Sequence, residues 1–592
     1  MKRCHVKSIE FWGIYFSMLV LFIFYTLSSM IVKSPTYDEV SHLGAGYSYI
    51  RTGNFKLNFE HPPLVKIIAA LPLLFLNLTL PIHHTSWQVG DAPSFGEQFL
   101  YYNNYPPDLI IFISRIPIIL ISLVLGFYVF RWTNQLYGIK AGLFALFLYV
   151  FSPNILAHSR LVTYDIPVSC FMLISVYYFW RFINTPTRKN IIIVGIVFGL
   201  AQLTKFVSIH LVFIYILLGL IVLILGNGYL IDRSLSLYQR IFLLVRYLLI
   251  IFLIGMFIIN AGYLFKGIFL KLSNYEFINP MLSKLKSKFA SVPVPLPYLY
   301  IKGIDWQLFH SKGHWSGYLM GEHSTTGWWY YFILAFLMKT PISMIIFIIL
   351  SICLSRNLVK FRSMLDEYFL IIPIFWILIY FSFFNKINIG LRYILPIYPF
   401  LFIYVSKIVN MKFLTRLENK IYMFILILLC GWYFYSSISI YPHYLAYFNE
   451  LVGGPDNGYK YLIDSNIDWG QDMKGLKNYL YINNITEVKL SPYRKVAGEV
   501  TPECYRIFYK PLRCGIPSTG LIAVSVNDLV GLTEERSKCF SWLRKYKPIK
   551  KIGYSIFIYN ITNIGMVPNY GDTSEKRAYS PRSAIRASEV LP

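Results

Sequence analysis

Apolar residues in this chain gather into runs close to the length a helix needs to cross a bilayer. That length is about 20 residues, because hydrocarbon offers no partner to an unpaired backbone group. Eleven runs stand out, at roughly 10–32, 108–130, 140–158, 163–182, 191–207, 209–226, 241–262, 328–350, 368–384, 391–409 and 421–439. A further apolar helix, about 64–80, begins directly after His61-Pro62-Pro63 and either crosses as a short span or lies in the interface. The expected count is therefore about 11 spans, or 12–13 if short stretches of this kind also cross. The first run follows the basic leader MKRCHVK, yet it is long and no small-residue cleavage site closes it, so it reads as a retained anchor. After residue 439 the pattern changes. Residues 440–564 show soluble patterning, with strands expected at 521–526 and along Gly553–Tyr559, and 565–592 reads as a flexible polar tail.

Charge adds an orientation. Alternate short loops, from Lys2, Arg3 and Lys7 through to Lys407, Lys412 and Arg416, are basic, which places the N-terminus in the cytoplasm. Segments 33–107, 263–327 and 440–592 then fall on the extracytoplasmic side. Of the 592 residues 56% are hydrophobic and 14% charged, where soluble chains carry about a quarter charged. A disordered chain is excluded and a soluble multidomain protein disfavoured. The net charge of +26 follows the loops instead of forming one soluble patch, so no nucleic-acid partner is expected. These features describe a mostly α polytopic membrane protein with a C-terminal extracytoplasmic α/β domain. Residues 1–439 form the membrane domain, in the plasma (inner) membrane. No internal repeat, Rossmann or P-loop signature is present.

The candidate chemistry lies at the outer ends of the spans. Asp38 and Glu39, just outside the first span, read either as helix N-terminal carboxylates or as a base with a tuning neighbour. Glu60 and His61 precede a Pro pair, with Lys66 one turn into the following helix. Arg160 and Asp165, at the start of another span, either neutralise each other or contact a sugar hydroxyl. Arg115, Lys205, Lys339, Lys386 and Arg392 run against the inside-positive trend; each either snorkels or helps hold an anion, and Arg392 has the guanidinium geometry for phosphate. One carboxylate base and several cations on one face suit group transfer from a phosphate-bearing lipid to a hydroxyl, with cations offsetting the leaving charge. His310, His314, Glu322 and His323 have spacing that could hold a metal, although interface histidines explain them as well. Cys504 and Cys514, ten residues apart in an oxidising compartment, are read as a disulfide that leaves Cys539 unpaired.

Thr36-Tyr37-Asp38-Glu39, Glu60-His61-Pro62-Pro63-Leu64, Ser114-Arg115-Ile116-Pro117, Ala157-His158-Ser159-Arg160 with Thr163-Tyr164-Asp165, and Leu203-Thr204-Lys205 resemble the protein O-mannosyltransferase and aminoarabinose (lipid A) transferase group. Gly327-Trp328-Trp329-Tyr330, Lys339-Thr340-Pro341, Leu391-Arg392-Tyr393 and the run Asp464–Asp472 are similar to its later segments. The resemblance covers about residues 10–560 and is closest to prokaryotic members. It implies a GT-C fold and an inverting glycosyltransferase that moves a sugar, mannose or related, from a polyprenyl-phosphate donor to a hydroxyl on a protein, glycolipid or polysaccharide. It implies Asp38 as the acceptor-activating carboxylate with Glu39 beside it. Glu60-His61 falls where the aminoarabinose enzymes have Glu-Lys. Arg115, Lys205 and Arg392 match family basic positions only loosely. No cofactor is required by this chemistry, though some relatives bind a divalent cation near the site. The rival from another class, a lipid or glycolipid flippase, would place ionisable residues at mid-membrane, whereas these spans are nearly uncharged at their centres.

Overall fold

The computed structural model describes residues 2–225, 235–313, 315–354, 361–491, 507 and 509–563. Among them seven helices are long and apolar enough to cross a membrane: Glu10–Ile31, Pro107–Tyr137, Asp165–Asn184, Phe206–Leu225, Leu237–Gly262, Met364–Phe384 and Arg416–Ile438. Tyr331–Lys339 and Ile342–Cys353 make an eighth if taken as one span, bent by 111° where Pro341 interrupts it. The other expected runs form shorter helices. The run at 140–158 yields Ile139–Val150 and then Pro153–His158, because Ser152 caps a new helix that starts on Pro153. The run at 191–207 yields Arg188–Gln202, 15 residues or roughly 22 Å. The run at 391–409 is the helix Ile397–Val405 between 3₁₀ turns. The apolar stretch after His61 is a helix, Leu64–Ala70, continued by a 3₁₀ turn containing Pro72, and is too short to cross.

Three helices near the N-terminus position the site: α1 (Lys2–Ile31), α2 (Tyr37–Thr52) and α3 (Leu64–Ala70). α2 starts on a capping box in which Thr36 and Glu39 bond each other's backbone, and it stops at Gly53 in the left-handed conformation. It approaches its neighbours backbone to backbone. A Cβ on Gly44 would sit 2.9 Å from the Cα of Gly96, and one on Gly46 would run into the carbonyl of Lys66. This close contact fixes α2 against α3 and the helix Ala92–Tyr101.

Segment 263–327 holds two small antiparallel pairs, β1 (Leu270–Lys271) with β2 (Pro293–Val294), and β3 (Gly317–Leu319) with β4 (Glu322–Ser324). The C-terminal region is an α/β unit around a five-stranded sheet. Its strands are β5 (Val488–Ser491), β6 (Tyr509–Pro511), β7 (Gly520–Ser525), β8 (Lys550–Ile552) and β9 (Ile556–Ile561), in the order β6-β5-β7-β9-β8. β5 runs parallel to β6 and β7, while β9 is antiparallel to β7 and β8. The helix Met473–Ile482 buries Met473, Leu476 and Leu480 against Val488, Leu490, Ala523 and Ile558. The strand expected from Gly553 begins three residues later, because Gly553 and Tyr554 take positive φ (59° and 65°) to turn β8 into β9.

The disulfide differs from the expected one. Cys514 is bonded to Cys539, and Cys504 lies outside the described residues, as does the tail 565–592. The backbone brings the bonded pair together, since the N–H of Gly515 donates to the carbonyl of Cys539 at 3.0 Å. Spacing along the chain says nothing of that approach. The bridge closes a 25-residue separation, which on loop-closure entropy stabilises by about 3 kcal/mol. Cys514→Ser is therefore expected to lower the thermal unfolding midpoint of the C-terminal region, and an unchanged midpoint by calorimetry would contradict that role.

Candidate active site

The two adjacent carboxylates after α1 have separate surroundings. Glu39 is fully buried and accepts two hydrogen bonds from Arg115, Nε to Oε1 at 2.8 Å and Nη2 to Oε2 at 2.6 Å. It also accepts from the backbone N–H of Thr36 and of Val162, both at 2.8 Å. Despite its burial, these partners hold its carboxyl below the usual range, Arg115 contributing most of the lowering. The Arg115 guanidinium spends its remaining capacity on the carbonyl of Ser34 at 2.9 Å and, more weakly, on those of Met30 and Lys33. At 1% exposure Arg115 is enclosed in this network, which ties the end of α1 to the start of α2.

Asp38 points the other way. It is partly exposed and pairs with Arg392, Nη1 to Oδ2 at 3.2 Å. Arg392 lies over the Trp469 ring at 4.3 Å, and its Nε has no hydrogen-bond partner among the described residues. The loop before Arg392 is pinned by the Asp464–Asp472 run: the N–H of Leu391 donates to Asn466 at 3.0 Å, and the Ser465 hydroxyl to the carbonyl of Ile389 at 2.8 Å. The same run reaches the start of α2, with the N–H of Tyr37 donating to the Trp469 carbonyl at 2.9 Å. One loop of the C-terminal region thus sets both partners of the Asp38–Arg392 pair. Its own Asp468 is pushed up to about 7 by burial, opposed by bonds from Ser525 and the N–H of Gly470.

Next to this pair lies a second. Lys205 donates to Asp165 Oδ1 at 2.8 Å and sits 4.9 Å from the Tyr393 ring, while His158 Nδ1 is 3.8 Å from the other Asp165 oxygen. Of the two readings of Arg160 and Asp165, mutual neutralisation does not occur. Arg160 is buried with Nη1 donating to the carbonyl of Ser29 at 2.5 Å and its guanidinium over Tyr444. The short helix Pro153–His158 and the turn after it direct Arg160 and Asp165 to different neighbours.

The Tyr164 ring packs against both His42 and His61, 4.3 Å from each. Burial, reinforced for His61 by Lys205, drives both imidazoles toward the neutral form, His42 down to about 4. Lys66 is buried and donates to the carbonyls of Asn58 (2.6 Å) and His61 (2.8 Å) and to the Tyr49 hydroxyl (3.1 Å), so it braces this turn. The Glu60 carbonyl accepts from Gln307 at 3.0 Å. His42 and Trp469 were not among the expected site residues. The spacing of Asp38 and His42, one helical turn apart, was a usable signal for the first, and the run Asp464–Asp472 for Trp469.

The expected metal candidates do not assemble. No group of three or more potential ligands occurs among the described residues, and His314 lies outside them. His310 packs on Trp306 at 3.9 Å, Glu322 is exposed, and His323 Nε2 lies 2.7 Å from the carbonyl of Gly531. The hairpin β3–β4 carries His323 toward the C-terminal region, away from His310.

Residues 111–259 match the family model described as dolichyl-phosphate-mannose-protein mannosyltransferase. The match spans about a quarter of the chain, and the likeness to that family is shown for this segment. It contains Arg115, Arg160, Asp165 and Lys205. No curated protein matches the chain. Solved structures with some likeness include ArnT from Cupriavidus metallidurans bound to undecaprenyl phosphate, at 11% identity over 92% of this chain and 97% of that one, with a TM-score of 0.46. Another is the S. cerevisiae protein O-mannosyltransferase Pmt1-Pmt2 complex bound to the sugar donor, at 18% identity over 43% and 34% of the two chains and a TM-score of 0.32. A third is the oligosaccharyltransferase AglB from Archaeoglobus fulgidus in complex with an inhibitory peptide and a dolichol-phosphate, at 10% identity over 87% and 70%, with a TM-score of 0.38. At these scores none of them transfers a residue role to the glycosyltransferase.

Proposed function

We propose that this glycosyltransferase moves a sugar from a polyprenyl-phosphate donor to a hydroxyl acceptor on the extracytoplasmic side of the membrane. Asp38 takes the proton of the acceptor hydroxyl, whose oxygen attacks the anomeric carbon. The bond from that carbon to the phosphate oxygen breaks, its electron pair leaves with the lipid phosphate, and the product is inverted. Arg392 and Lys205 offset the growing charge on the leaving oxygen. Glu39 and Arg115 position the turn that carries Asp38, while Glu60, His61 and Lys66 form the wall behind Tyr164. The observation that carries this reading is the partly exposed Asp38 paired with Arg392, a guanidinium whose Nε has no partner among the described residues and is left for a phosphate oxygen.

Membranes containing the protein, incubated with labelled polyprenyl-phosphate sugars, should pass label to a protein, glycolipid or polysaccharide. No transfer from any such donor would overturn the proposal. Arg392→Ala is expected to raise the KM for donor by about 10- to 100-fold, the loss of a charge-assisted hydrogen-bond pair. The KM for acceptor should change little, and equal increases in both would remove Arg392 from the phosphate site.

A further inference from the structure

We infer that His42 is a hydroxyl-binding residue of this site, its Nε2 accepting a hydrogen bond from a substrate O–H one helical turn from Asp38. This rests on the transfer reading above and specifies what the wall beside Asp38 recognises. Residues four apart on a helix project on the same face, so His42 and Asp38 share the side of α2 that meets Arg392. His42 Nδ1 lies 2.8 Å from the carbonyl of Val162. A carbonyl only accepts, so Nδ1 carries the proton and Nε2 presents a lone pair. Among the described residues His42 has no other hydrogen bond.

The surroundings keep that lone pair in place. The ring packs on Tyr164 at 4.3 Å, with His61 6.3 Å away, and α2 is locked by backbone contact at Gly46. Asp38, Lys66 and Arg392 are the charged groups that act on it. Their effects are smaller than that of burial, which favours neutral imidazole. A neutral acceptor beside two cations has a narrow use: it repels phosphate oxygens and leaves them to Arg392 and Lys205, while it accepts from a hydroxyl. Sugar donor and acceptor both carry hydroxyls, and the test separates them.

The full chain, purified and supplied with a labelled polyprenyl-phosphate sugar, is compared with His42→Asn and His42→Phe. An Asn amide can keep the bond to the Val162 carbonyl but ends short of the Nε2 position, whereas Phe keeps the ring and removes both nitrogens. His42→Asn is expected to lose on the order of 10- to 100-fold in kcat/KM, the worth of one hydrogen bond left unmade, with a thermal midpoint near wild type. Loss in both acceptor transfer and donor hydrolysis by water assigns the contact to the sugar. Loss in transfer alone assigns it to the acceptor. Wild-type kcat/KM in His42→Asn for both reactions would overturn the inference, whether or not His42→Phe folds. A wild-type protein that turns over no lipid-phosphate sugar would overturn the transfer reading, and this inference with it.

Discussion

Asp38→Asn should reduce sugar transfer by about 10²- to 10⁴-fold, the usual worth of a positioned general base, while the protein still inserts and unfolds at its normal temperature. The asparagine has nearly the same shape and the position is partly exposed, so the fold should tolerate it. Arg392 does lose its counter-charge, since Asp38 is its ion-pair partner at 3.2 Å. The variant should therefore bind polyprenyl phosphate at least as tightly as wild type, even though it no longer transfers. That combination, kept or tightened donor binding with lost turnover, separates a base from a residue that only holds the site together. Normal turnover in Asp38→Asn would remove the assigned base.

Glu39→Gln should have the opposite profile. Glu39 is buried in a two-point contact with Arg115, and removing one partner of a buried pair leaves an uncompensated charge at about 3–5 kcal/mol. The variant should fold poorly or unfold many degrees below wild type, with activity falling as the folded fraction falls. The damage should spread beyond the site, because Glu39 also holds the N–H groups of Thr36 and Val162. Should Glu39→Gln match wild type in thermal stability, the anchoring role would be wrong. Two neighbouring carboxylates thus yield one chemical and one structural phenotype, and thermal midpoint measured beside turnover tells them apart.

Several features of the site were readable along the chain, and they share a physical origin. Asp38, Asp165, Lys205 and Arg392 stand out because a charged group beside an apolar run needs a partner or a function. The structure pairs them, Asp38 with Arg392 and Asp165 with Lys205. The pairing itself was not readable. Arg160 is five residues from Asp165 and was one possible partner, yet it faces Ser29 and Tyr444. Lys66, singled out one turn into the helix after the Pro pair, donates to the carbonyls of Asn58 and His61.

The sequence alone determined that this is a multi-pass helical membrane protein with a C-terminal soluble unit, because hydrocarbon forces spans to be long, apolar and helical whatever surrounds them. It also placed the candidate charged residues at the ends of spans, since ionisable groups are expelled from span centres. Tertiary structure decided what each of those groups does. It made Glu39 a buried anchor, paired the partly exposed Asp38 with Arg392, brought Trp469 from the far end of the chain under Arg392, and joined Cys514 to Cys539. Ion pairs and ring contacts act over a few ångströms, and the residues that meet at that range are separated by up to several hundred positions. Local pattern therefore specifies the helices, and only their packing specifies the site.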